Sequence, residues 1–180
     1  MDTRPKVRCP FQTVAAISFP IRYNNKDTML PFLVLVASTL ILRVFGAAGI
    51  AALESWTICL RGGLAVMFLL TASAHWGKRR PDLIRMVPTA FPRPGLIVTI
   101  TGLLEVLGAL GLLLPVTAPA AAACLAALLI AMFPANVRAA RHNVTIGGKK
   151  ATALPLRAFL QIVFIAALIG AGFPDCLKRP

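Results

Sequence analysis

Acidic residues are scarce in this sequence. Against 19 Lys and Arg the 180-residue chain carries only 6 Asp and Glu, and charged residues of both signs make up 14% of it. A soluble domain is about a quarter charged, so this chain has too little polar surface to wrap a water-exposed globule. Other things are absent as well. There is no Gly-x-Gly-x-x-Gly and no Walker motif, which excludes ATP-driven transport by this chain alone. The four cysteines, Cys9, Cys59, Cys124 and Cys176, form no Cys-x-x-Cys, which disfavours thioredoxin-type chemistry. One Tyr and scattered Phe do not interleave with the basic residues, so the net charge of +13 does not read as a nucleic-acid surface. After the short apolar run Phe11 to Ile21, broken by Pro20, no small-residue cleavage pattern follows, which argues against a signal peptide.

Apolar residues dominate what is present, at 58% of the chain, and mean hydropathy is +0.79. The expected solvent is lipid. A bilayer span takes about 20 helical residues, so no separate soluble catalytic domain fits. Five spans are expected at about 30–53, 57–76, 95–114, 118–139 and 156–173. They form a single transmembrane domain over 29–175, between a basic tail at 1–28 and a short tail at 176–180. Trp56 and Trp76 flank the second span, as interfacial tryptophans do. Lys and Arg alternate between rich and poor connections: the tail, Lys78 to Arg93, and Arg138 to Arg157 are rich, and the intervening turns are poor. The positive-inside rule then places the amino terminus in the cytoplasm and the carboxy terminus outside.

Two charges, Glu105 and Arg43, fall deep within spans, where each is costly and needs a reason. At 1.5 Å per residue, Glu105 is expected roughly 14 Å from Leu114 and Arg43 roughly 15 Å from Leu53. Similar depth suggests an ion pair, either as structural glue or as a proton relay or polar ligand anchor. Arg61, about one turn inside the outer face, either snorkels outward or competes with Arg43 for Glu105. His75 ends the second span on the basic side. Its bland reading is an interfacial histidine, and its functional one is proton exchange or contact with a quinone headgroup. Asn136 precedes a basic loop containing His142. The two histidines lie on different spans with no carboxylate or Cys at ligand spacing, so no metal site is expected. Cys59, Cys124 and Cys176 fall toward the outer face, where one disulfide is permitted, although the reading as small buried hydrophobes is preferred.

The stretch FLLTASAHWGKRRPDLIRMVPTAFPRPGLIVTITGLLEVLGALGLLLP, followed by AMFPANVRAARH, resembles the DoxX family of small bacterial membrane proteins. The similarity runs roughly from Arg61 to Phe173. It implies an all-α fold, a polytopic bundle with a four-span DoxX-like core and one additional amino-terminal span. It also implies residence in the bacterial inner membrane and carries over Arg61, His75, Glu105 and Asn136 as pocket candidates. The family's redox associations imply a membrane subunit that contacts quinone, with no covalently bound cofactor, or that anchors a soluble oxidoreductase at the basic cytoplasmic face and is linked to oxidative stress. A non-enzymatic transporter or scaffold is the alternative. No self-sufficient active site is visible in the sequence, which leaves open whether the chain is part of an enzyme.

Overall fold

The computed structural model describes residues 25–141, 145–146, 149–150 and 153–174, with side chains for 29–141 and 153–174. The tail through residue 24 with Cys9, His142, and residues 175–180 with Cys176 lie outside the described residues. The fold is all-helical: α1 Asn25–Ala47, α2 Trp56–Ser73, α3 Arg80–Met86, α4 Pro94–Leu113, α5 Ala118–Arg141 and α6 Leu154–Gly172. Every one of these except α3 is long and apolar enough to cross a membrane, so the chain is a multi-pass membrane protein. Exposed leucines such as Leu103, Leu107 and Leu110 on α4 cover its outer surface. In water such a surface would be an aggregation hazard, and in lipid it is solvated.

Helices α2, α4, α5 and α6 close into a ring, each packed on the next, and α1 lies outside it against α2. The arrangement is a four-helix core with one added span. Small residues allow the close packing: a Cβ at Gly108 would lie 2.5 Å from Leu125, and one at Gly111 would lie 2.9 Å from the Ala121 Cβ. Arg61 reinforces the closure, its Nε donating to the Ala171 carbonyl in the last turn of α6 at 2.9 Å. Thr117 in the tight α4–α5 turn donates to the Gly111 carbonyl at 2.7 Å, satisfying a carbonyl that the end of α4 leaves open. Away from the basic end, the ring is filled by Leu64, Ala109, Leu112, Ala122, Leu125, Leu168 and Ala171.

Two elements differ from the sequence expectation. The first helix starts at Asn25, before the expected span, and stops at Ala47 instead of reaching Leu53. Gly49 has φ 108°, the left-handed conformation open to glycine. Its N–H bonds to the Gly46 carbonyl at 3.1 Å, and that of Ile50 to the Phe45 carbonyl at 3.3 Å. This pair is the Schellman termination, and a short 3-10 turn at Ala51–Leu53 follows. The second difference is α3, in a stretch expected to be a plain connection. Pro81 at its start, Asp82 in its first turn and Arg85 in its last are favourable helix-end residues. Met86 then buries against Ala139 of α5 and fixes α3 across the basic end.

Candidate functional site

Glu105 and His75 are the buried polar residues of the described core, 3% and 4% exposed. Glu105 projects from the middle of α4 toward α2, where the Thr71 hydroxyl lies 2.9 Å from its Oε2. The same hydroxyl lies 3.0 Å from the Phe68 carbonyl. A hydroxyl carries one proton and can serve only one acceptor at a time. With Glu105 ionised, Thr71 donates to the carboxylate. With Glu105 protonated, the carboxyl donates to Thr71, which then donates to the Phe68 carbonyl. The pair therefore accommodates both protonation states of Glu105 without moving a heavy atom.

His75 follows the end of α2, and its Nδ1 sits 3.3 Å from the Thr71 carbonyl. A carbonyl only accepts, so Nδ1 bears the proton and Nε2 keeps its lone pair in the neutral ring. Burial pushes the His75 pKa below its ordinary 6.5, contacts to the backbone of Thr71 and Ala72 oppose this, and the nearby Arg80 charge adds to the lowering. His75 Nδ1 is 4.0 Å from Glu105 Oε2, which for a neutral imidazole is a polar contact and not an ion pair. Gly102 makes room for the ring, since a Cβ there would lie 2.7 Å from the His75 Cβ. Arg80 locks the segment, donating to the His75 carbonyl at 2.8 Å and to the Thr99 hydroxyl at 2.9 Å.

These groups form one wall of a cavity of about 550 Å³ in the basic half of the bundle. That size suits a small organic ligand. Met67, Phe68, Leu129, Met132 and Phe164 make most of its lining apolar, and Leu30 and Pro31 of α1 reach its side. Lys78 and Arg79 also line it. A second polar group contributes Asn136, Arg157 and Gln161. Arg157 Nη1 donates to Asn136 Oδ1 at 2.9 Å, and Gln161 Nε2 donates to the Leu129 carbonyl at 2.9 Å.

Of the residues singled out from sequence, the cavity brings together Glu105, His75 and Asn136 and leaves out Arg43 and Arg61. The expected ion pair is thereby corrected. Because α1 ends at Ala47, Arg43 lies about one turn from a helix end, near the interface rather than at the depth of Glu105. Its guanidinium stacks over Trp56, 5.3 Å from the ring centroid. Arg61 is turned to the α6 terminus. Thr71, Arg157 and Gln161 were missed. Arg157 and Gln161 sit four apart on one helix face, a spacing that places two polar side chains together inside an apolar run. Cys59 is buried and Cys124 exposed, both as free thiols. Cys59 points its thiol at the Leu53 carbonyl at 3.2 Å.

Residues 64–170 match the family model of DUF8561, a domain of unknown function. The chain belongs to the DUF8561 family. The DUF8561 segment takes in most of α2 and runs through α6, so it includes Thr71, His75, Glu105, Asn136 and Arg157 and leaves out α1, Arg43 and Arg61. No curated protein and no solved structure matches the chain.

Proposed function

We propose that the protein is a subunit of a bacterial inner-membrane redox system, with its cavity contacting a quinone and its basic face docking a soluble oxidoreductase. The observation that carries this reading is a wall of Glu105, Thr71 and His75 in a cavity whose lining is mostly apolar. A quinone headgroup needs a hydrogen-bond donor at its carbonyl oxygen and apolar surroundings for ring and chain. Its reduction takes two electrons and two protons. The electrons come from the docked partner, one proton comes from Glu105, which tolerates both protonation states, and the second comes from water at the basic end of the cavity. The resemblance to DoxX proteins supports the same assignment. On this reading the amino terminus and the basic end, with Lys78, Arg79, Arg80, Arg85 and Arg93, face the cytoplasm, where they attract an acidic partner.

The test uses purified protein carrying Trp56→Phe, so that fluorescence comes from Trp76, whose ring centroid is 6.3 Å from that of His75. Decylubiquinone quenches it with a saturable curve, and Glu105→Leu abolishes saturation. A linear curve identical in both proteins refutes quinone binding. In cells, deletion raises sensitivity to quinone or peroxide stress, and Glu105→Gln fails to rescue.

One observation favours the alternative of a proton-coupled transporter: Glu105 faces a cavity and has no cation partner among the described residues. Against it stands the packed core between the cavity and the far end, where Leu112, Leu125 and Leu168 are fully buried. Solute flux in proteoliposomes containing only this protein decides for transport.

A further inference from the structure

The cavity's charges do not balance around a neutral ligand. Among the described residues its lining includes the cations Lys78 and Arg157 and one carboxylate, Glu105. Glu105 is bonded to Thr71 and pairs with no arginine among the described residues. Arg157 has one bond from Nη1, to the neutral amide oxygen of Asn136. Its Nε is buried with no hydrogen-bond partner. Nε and Nη2 form the guanidinium's other edge, the fork that binds a phosphate or carboxylate in bidentate fashion. A neutral quinone leaves that fork unmatched.

We propose that the cavity also binds an amphiphile whose anionic head, a phosphate or carboxylate, sits on Arg157 with its chain along the apolar wall. The surrounding residues suit both parts of such a molecule. Asn136 holds Nη1 of the guanidinium, and Nη2, which has no partner among the described residues, is left for the head. Lys78 adds attraction for anions. Met132 and Phe164 offer the chain an apolar track. The inference goes beyond the quinone reading and does not depend on it, because it concerns a charge that the quinone does not use.

The experiment takes the full chain in neutral detergent, with Trp56→Phe, and titrates four probes: monododecyl phosphate, dodecanoate, dodecanol and inorganic phosphate. The two anionic amphiphiles bind saturably, dodecanol binds at least tenfold more weakly, and inorganic phosphate does not bind. Arg157→Gln weakens the anionic amphiphiles at least tenfold and leaves dodecanol unchanged. Arg157→Lys, which keeps the charge but loses the fork, weakens them severalfold and serves if the glutamine variant does not fold. Arg93→Gln, at the basic end but outside the cavity lining, changes nothing. Dodecanol binding as tightly as dodecyl phosphate, or unaltered binding in both Arg157 variants, overturns the proposal. Binding of inorganic phosphate alone overturns it in favour of a free-anion site. Decylubiquinone quenching is followed in the same variants and in Glu105→Leu, so failure of either ligand class is seen separately.

Discussion

Replacing Thr71 and Glu105 together tests the core of the site. In Thr71→Val the carboxyl loses its hydrogen-bond donor at 2.9 Å and remains inside a helix bundle. A buried polar group stranded in this way costs about 1–3 kcal/mol. In Glu105→Leu the polar group itself is removed, so the loss is smaller and the change can even stabilise. Once Glu105 is Leu, Thr71 still has the Phe68 carbonyl to donate to, and Thr71→Val costs little more. The two changes are therefore coupled. Hydrogen bonds between membrane helices average about 0.6 kcal/mol and reach about 1.7 kcal/mol in such cycles, and the coupling is expected in that range. Cycles of Glu105 with Arg43 or Arg61 are expected to be additive within about 0.5 kcal/mol, because Arg43 stacks on Trp56 and Arg61 bonds to Ala171. Reversible unfolding in bicelles, on the four variants of each cycle, gives the numbers. Additivity with Thr71, or coupling above 1 kcal/mol with either arginine at roughly that threshold, refutes the geometry described above.

Four further outcomes follow from particular contacts. Gly102→Ala places a Cβ 2.7 Å from the His75 Cβ and 2.8 Å from its Cγ, so it displaces the ring, costs about 1–3 kcal/mol and weakens decylubiquinone quenching of Trp76. Gly108→Ala, whose Cβ lies 2.5 Å from the Leu125 Cγ and Cδ2, destabilises by a similar amount, about 1–3 kcal/mol, and Leu125→Ala in the same chain recovers part of the loss in a thermal melt. His75 has a folded pKa below the ordinary 6.5, so the unfolded chain takes up its proton first. Stability is level above about pH 6.5, falls as the pH drops below it, and loses part of that slope in His75→Gln. A periplasmic phosphatase fused after Pro180 is active and one inserted between Lys149 and Lys150 is not, and the reverse pattern inverts the orientation.

Hydropathy made the five long helices legible, because lipid demands about 20 apolar residues wherever a helix crosses it. It also made Glu105 legible, since one carboxylate in such a run stands out. The end of α1 was not, for the run from Leu30 to Leu53 stays apolar on both sides of Arg43 and only the backbone at Gly49 stops the helix. That single turn moved Arg43 out of the expected pairing. Helix α3 was hidden because it is short and charged, and it is held by Met86 and Arg80, whose contacts are distant in sequence. Thr71 was missed since threonines are common in these spans and only the α2–α4 packing sets one opposite Glu105. Arg157 stands at the opening of the expected span at 156–173 and counts there only toward the charge of the connection, whereas α6 begins at Leu154 and carries it into the cavity wall.

The seam between α1 and α2 fixes how far along the bundle the outer helix sits. At Gly63 a side chain would run into the Thr39 hydroxyl and approach the Leu35 carbonyl to 3.1 Å, and at Gly62 it would come within 2.5 Å of the Leu42 Cδ1. One turn away in either direction along α2 the corresponding places belong to Cys59 and Met67, whose side chains leave no such seat. Helix α1 therefore has one longitudinal setting against the ring, and that setting is what brings Leu30 and Pro31 to the side of the cavity. Enlarging Gly63 reshapes the ligand space from a distance, without altering any residue that lines it.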